Sequence, residues 1–211
     1  MGTARAARAA KARGCSFPAA LISLACEFVP HMSRHFQSEQ WVPAPVERVF
    51  AFFADPHNLP RIMPPGLGTK LVKLNLVPPR FPAGQVPPGT LRMAGAGTEM
   101  TVAFRVIPYV PVHERWVVNI NEFSLNRFFQ DVQKQGPFRR WQHTHGFERV
   151  VQNGIDGTLI HDEVEYEVGF GAVGRGLELV VFQQMFRSTF NYRKRALEKI
   201  FPAPAAVPAA S

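Results

Sequence analysis

Two histidines separated by one residue, His143 and His145, and three nearby groups able to exchange protons with them, Asp131, Asp162 and Tyr166, are the residues of this chain best suited to chemistry. Histidine titrates nearest to neutral pH, so the pair could act as general acid and base. Residues i and i+2 of a strand share a face, so His143 and His145 could also share a metal with Asp131 or Asp162. A zinc site needs a third or fourth ligand, and no spacing here specifies one. The expectation is therefore no metal and no cofactor. A plainer role is a satisfied internal network, His to Asp or His to Tyr, that holds a sheet together.

Strand alternation predicts where these groups point. In 138–148 the even positions Arg140, Gln142, Thr144 and Glu148 are the wetter set, so Trp141, His143, His145 and Phe147 face inward. The segment 153–157 reads as a hairpin turn. Counting outward places Phe147 near Asp162, His145 near Val164 and His143 near Tyr166. Ile160, Asp162, Val164 and Tyr166 then point inward, while Glu163, Glu165 and Glu167 point outward. Counting back through Gly136-Pro137 adds Phe129 and Asp131 to the inner face. The wall is mostly apolar with a few hydrogen-bonding groups, the usual make-up of a small-molecule pocket.

The elements that must carry this wall follow from periodicity. A strand is predicted over 36–42, then a helix with Val46, Val49, Phe50 and Phe53 at helical spacing. Asp55-Pro56 starts a second short helix, with Asp55 as cap and Pro56 at the first position. Further strands are read at 67–76, 98–107, 112–123, 127–133, 138–150 and 158–168, with the Pro-rich stretch 78–89 as a long loop. No helix separates the later strands, so a parallel βαβ fold is unsuitable. The last element, 173–201, holds no proline and has an apolar stripe through Leu177, Val180, Met185, Phe186, Phe190, Leu197 and Ile200. About 29 helical residues would span roughly 43 Å. Such a stripe needs a concave apolar partner, and the meander supplies it. The reading is an α+β helix-grip fold: a curved antiparallel sheet of six or seven strands wrapped around a long C-terminal helix, with two short helices after the first strand.

Composition agrees. The chain has 211 residues, 46% of them hydrophobic, with 18 Phe against 3 Tyr. Phe brings ring area with no polar tip to satisfy, which suits a deep apolar interior. The net charge is +8, but four of the 24 cations and one of the 16 acids precede Met32, which leaves the body at +5. The cations are scattered, so no nucleic-acid face is expected. Arg193-Lys194-Arg195 reads as a solvated helix face, Arg139-Arg140 as a solvated surface pair, and Gly169, Gly171, Gly174 and Gly176 as a hinge into the last helix. Cys15 and Cys26 are the only cysteines, so the body has no thiol nucleophile or thiolate ligand. No apolar run approaches the roughly 20 residues of a membrane span.

Residues 1–31 read as an extension outside the fold. Met32-Ser-Arg-His resembles an ordinary cytosolic start. The alternative is an export signal, with a basic start and an apolar stretch from Cys15 to Cys26. Residues 202–211 read as a disordered Ala/Pro tail.

The body, from Phe36 to Phe201, resembles the START/SRPBCC superfamily, and within it the bacterial polyketide cyclase/dehydrase-like and ligand-binding proteins. The resemblance rests on VPAPVERVFAFFADPHNLP at 42–60, GPFRRWQHTHGFE at 136–148, DEVEYE at 162–167, and Met185, Phe186 and FNYRKRAL at 190–197. It implies the helix-grip fold over 32–201, with a cavity between sheet and helix. Its members include lipid carriers, hormone receptors and aromatase/cyclases, so it does not decide among functions. The first expectation is a non-catalytic cytoplasmic binder of a small hydrophobic or amphipathic ligand, monomeric or weakly dimeric and not membrane-inserted. Its cavity wall would be Phe129, Asp131, Trp141, His143, His145, Phe147, Asp162, Val164, Tyr166 and Phe186. The second is a cyclase/aromatase- or dehydratase-like enzyme using the same His, Asp and Tyr. The third is an interaction protein whose cavity is filled by its own side chains.

Overall fold

A computed structural model describes residues 33–81, 86–87, 89–105, 111, 113–168 and 182–203. The N-terminal extension, the glycine-rich hinge, the predicted helical stretch 173–181 and most of the Ala/Pro tail lie outside the described residues.

Seven antiparallel strands form one sheet. They are β1 (Arg34–Val42), β2 (Lys70–Asn75), β3 (Glu99–Arg105), β4 (His113–Ser124), β5 (Phe128–Gln135), β6 (Arg140–Gln152) and β7 (Ile155–Glu167). Their order across the sheet is β1-β7-β6-β5-β4-β3-β2. Every consecutive pair from β2 to β7 is adjacent, and β1 closes against β7, the last strand. Register shifts near Val118 and Asn121 in β4 bend the sheet, since an extra residue on one strand kinks and twists it locally. Helix α1 (Val46–Ala54) buries Val46, Val49, Phe50 and Ala54. Helix α2 (Gln183–Ile200) buries Phe186, Phe190, Arg193 and Leu197. This is the helix-grip architecture expected from the sequence.

Local chemistry explains the details. Asp55 accepts from the His57 backbone N–H at 3.1 Å and caps the next element, as expected. That element, Pro56–Ile62, is a 3-10 helix with Pro60 inside it. Proline has no N–H to give and clashes with the preceding turn, so a regular α-helix cannot run through it. Pro65–Leu67 is a further 3-10 turn, and β2 therefore begins at Lys70 rather than near Leu67.

The β6–β7 register differs from the sequence-based count by two residues. The turn is the two-residue Asn153-Gly154, both with positive φ (51° and 75°), and Gln152 already pairs with Ile155. Asn-Gly suits this turn because its backbone twist matches that of the flanking strands. Hence Phe147 faces Ile160, His145 faces Asp162, His143 faces Val164 and Trp141 faces Tyr166. A slip of two leaves every side chain on its predicted face.

Two apolar clusters fill the concave side. One centres on Phe50, fully buried and edge-to-face with Phe123, Phe129 and Phe147 at ring distances of 5.2–6.0 Å. The other joins Phe138, Trp141, Val164 and Tyr166 of the sheet side to Phe186 and Phe190 of α2. Ring-to-ring contacts therefore connect the sheet to α2. Removing the Phe50 ring takes away burial and three aromatic contacts together. Phe50→Ala should cost about 3–5 kcal/mol in a urea unfolding series, and a loss below about 1 kcal/mol would show that α1 is not part of the cooperative core.

Candidate functional site

The inner face of β5, β6 and β7 carries Phe129, Asp131, Trp141, His143, His145, Phe147, Asp162, Val164 and Tyr166. All are buried or nearly so. The pleat brings the polar ones together. Asp131 pairs across the strands with His143, and His145 pairs with Asp162. Each carboxylate is therefore opposite one histidine and diagonal to the other, and both reach both rings.

The distances show how far this goes. Asp162 Oδ1 lies 3.0 Å from His143 Nε2 and 3.0 Å from His145 Nδ1. Asp131 Oδ2 lies 3.3 Å from His145 Nε2 and 3.9 Å from His143 Nδ1. One carboxylate thus holds one nitrogen of each ring, and the other carboxylate faces the remaining two. Trp141 Nε1 donates to Asp131 Oδ1 at 3.2 Å and fixes its orientation. The two imidazoles are 3.8 Å apart between centroids, and Phe129 stacks on His145 at 4.5 Å. Tyr166 stands further along the wall, against Phe138 and Phe186.

The fifth member comes from α2. Arg193 is buried, with 6% of its surface exposed. Its Nη1 lies 3.2 Å from Asp162 Oδ1, and its Nη2 lies 3.3 Å from His145 Nδ1. Its guanidinium carbon stands 4.6 Å from the Phe53 ring centre and 5.4 Å from that of Phe190. The expectation of a solvated Arg193-Lys194-Arg195 face is therefore corrected for Arg193, though Arg195 is exposed. The signal was in the helical period: Phe186, Phe190, Arg193 and Leu197 follow spacings of four, three and four along one stripe. Charge alone placed Arg193 outside, and its partner is more than thirty residues away in sequence. Arg139 and Arg140 are exposed, as expected of a surface pair, with Arg140 3.5 Å from Glu165.

Burial and partners set the charges. Burial would raise Asp162, but the Arg193 charge and hydrogen bonds from both histidines hold it well below the ordinary aspartate value. Asp131 is lowered too, since His145, His143 and Trp141 outweigh its burial. Burial, reinforced by the neighbouring His145, lowers His143 and favours its neutral form. For His145 burial acts in the same direction, but hydrogen bonds to Asp131 and Asp162 prevail and raise it. Two adjacent imidazoles are thus pushed apart, one toward base and one toward acid, the pattern that separates catalytic roles elsewhere. Three of these groups, Asp131, His143 and His145, have ligand-capable atoms within 4.8 Å of one another.

The exterior of the site is a groove of about 520 Å³ between β1 and α2, lined by Phe36, Phe190, Arg187, Asn191, Lys194 and Glu39 among others. Phe190 belongs to both places: it edges the groove and stands 6.0 Å from the His143 ring.

Comparison with known proteins now bears on this geometry. Residues 33–200 match the family described as polyketide cyclase / dehydrase and lipid transport. The chain belongs to this family. Among solved structures, CV1439 from Chromobacterium violaceum is similar with a TM-score of 0.56 at 12% identity, covering 81% of this chain and 99% of that one. TTHA0849 from Thermus thermophilus is similar with a TM-score of 0.52 at 20% identity, covering 79% and 95%. Norcoclaurine synthase from Thalictrum flavum, solved with dopamine and hydroxybenzaldehyde, gives 0.51 at 13% identity, covering 80% and 86%. These likenesses establish the START-like helix-grip fold. No protein of curated function matches the sequence. Among the described residues, no helix is long and apolar enough to cross a membrane.

The aspartate shifts dictate a pH dependence. The unfolded chain takes up protons below the ordinary aspartate pKa of about 3.9, whereas the folded chain resists them. The stabilisation by Asp131 and Asp162 is therefore present above that value and lost as pH falls through the lowered folded values. Stability from denaturant titrations should drop below about pH 4, and Asp162→Asn should make that acid slope shallower. At pH 7, Arg193→Met should cost about 3–5 kcal/mol by stranding the Asp162 charge, and Arg193→Met/Asp162→Asn should lose less than the two single losses added.

Proposed function

We propose that the protein binds a small amphipathic molecule between the sheet and α2, with its apolar body against the aromatic wall and an oxygen-bearing head at the Asp131–His143–His145–Asp162–Arg193 cluster. One observation carries this reading. Five ionisable side chains are gathered under aromatic rings, at a burial cost that a purely structural core avoids, and Arg193 Nε is buried with no hydrogen-bond partner among the described residues. The groove between β1 and α2 gives a way in, with Phe36 and Phe190 as the rings that must turn aside. Arg187 and Lys194 line this groove with Glu39 and would draw an acceptor-rich molecule to the entrance. Membership of a family described by cyclisation, dehydration and lipid transport supports a ligand of this class.

A second reading is favoured by the histidines themselves. A neutral His143 beside a proton-holding His145 is suited to take a proton from a bound substrate and return one, as a dehydratase or cyclase requires. In this reading Asp131 and Asp162 orient the rings and Arg193 balances the charge.

Native mass spectrometry of the gently purified full chain tests the binding reading. The expected result is a reproducible added mass that is lost on denaturation. A bare protein mass, with no thermal shift from fatty acids, sterol-like compounds or planar phenols, would overturn it in favour of a protein with a filled interior. Once a ligand is in hand, a binder should retain affinity within about tenfold in His143→Gln. An enzyme should lose turnover by roughly two to four orders of magnitude.

A further inference from the structure

We infer that Asp131, His143 and His145 form a binding site for a first-row divalent metal of the zinc type, held by Asp131 Oδ2, His143 Nδ1 and His145 Nε2. The inference stands on the arrangement of these atoms and is independent of the ligand reading above.

The three candidate donors lie within 4.8 Å of one another. Asp131 Oδ2 is 3.3 Å from one donor nitrogen and 3.9 Å from the other. In a tetrahedron with bonds of about 2.0–2.1 Å, ligand atoms stand about 3.3 Å apart. Of the three separations, that between Asp131 Oδ2 and His145 Nε2 already matches and that to His143 Nδ1 needs a shift of roughly half an ångström, while the third, between the two imidazole nitrogens, lies within 4.8 Å and must close by up to about 1.5 Å. Two imidazoles and one carboxylate suit zinc, cobalt, nickel or iron(II), and the described site offers no thiolate that would favour a softer ion. Three protein ligands leave a fourth position open, the arrangement of a reactive site rather than of a closed structural one.

The surroundings make this more than a chance cluster. A ligating histidine needs its other ring nitrogen held by an acceptor, which fixes the ring and the tautomer. Here Asp162 Oδ1 stands 3.0 Å from the remaining nitrogen of both rings at once. A ligating carboxylate also needs orienting, and Trp141 Nε1 does so from Asp131 Oδ1, leaving Oδ2 for the ion. Asp162 in turn is held by Arg193. Arg193 approaches His145 at Nδ1, across the ring from the nitrogen that faces Asp131. Two buried carboxylates against one guanidinium leave a deficit of one positive charge, which either a proton on His145 or a bound cation makes up. A divalent ion reverses that to one positive charge in excess, which an anionic oxygen in the fourth position would neutralise.

Metal titration of the full chain, stripped with a chelator and dialysed, tests the site. Zn²⁺ should bind at one per chain with a Kd of about 1 μM or tighter, read by competition with a chromophoric chelator. Co²⁺ should give a visible absorption band that Zn²⁺ abolishes. His143→Gln, His145→Gln and Asp131→Asn should each weaken binding by at least 100-fold. Asp162→Asn should keep the stoichiometry and weaken binding by about 10–100-fold. Cys15→Ser/Cys26→Ser should change nothing. X-ray absorption of the zinc-loaded wild type, which needs no variant to fold, should show two imidazoles and oxygen. The inference is overturned by no stoichiometric binding to the wild type. It is equally overturned by sulfur in the zinc shell, or by folded variants of the three ligands that bind like the wild type. Zinc binding without any organic ligand would leave the metal site standing while the binding reading fails, and the converse result separates them as well.

Discussion

A guanidinium brought into a protein interior must find a counter-charge there, because the water it left would otherwise have solvated it. Arg193 finds Asp162, and this contact ties α2 to β7. The remaining polar groups depend on it. Asp162 stays ionised because Arg193 is beside it, and an ionised Asp162 can hold one nitrogen of each histidine. The rings so held present their other nitrogens to Asp131. Without the charge pair, Asp162 would be a stranded anion and the two imidazoles would lose the acceptor that orients them.

The aromatic wall makes the arrangement rigid. Phe129 stacks on His145, Trp141 stands edge-on to His143, and Phe53 and Phe190 sandwich the Arg193 head. Packing of this kind limits the rotamers open to the polar groups and strengthens their interactions by excluding water. The same wall meets the groove beside β1 at Phe190. The fold therefore supplies both halves of a recognition site: apolar area for a ligand's body and a few fixed polar atoms for its head. It is also a setting in which a metal would have its outer contacts ready before it arrived.

The family and its structural neighbours share the frame. At 9–20% identity, a likeness to solved helix-grip structures speaks of the sheet and the helix, not of what lies between them. This chain places Asp131, His143, His145, Asp162 and Arg193 together on β5, β6, β7 and α2. Function here is to be argued from that set.

The sequence alone determined the element order, the antiparallel sheet and the inward face of each site strand. Those features are local: alternation along 138–148, the Asn153-Gly154 turn, the prolines that break helices, and the apolar stripe of the last helix are all written in neighbouring residues. Phe129, Asp131, His143, His145 and Asp162 could be put on one wall because a strand's period of two survives a register error of two. The sequence could not say which residue stood opposite which. That depended on how many residues the hairpin turn takes, and it decided that His145 rather than Phe147 faces Asp162. Only the tertiary structure revealed Arg193, since a basic run on a helix is solvated unless a partner waits beneath it. Asp162 lies 31 residues away in the chain, on a strand whose distance from α2 no local pattern records. Secondary structure follows from short-range periodicity, but a buried ion pair exists only once the helix has docked on the sheet.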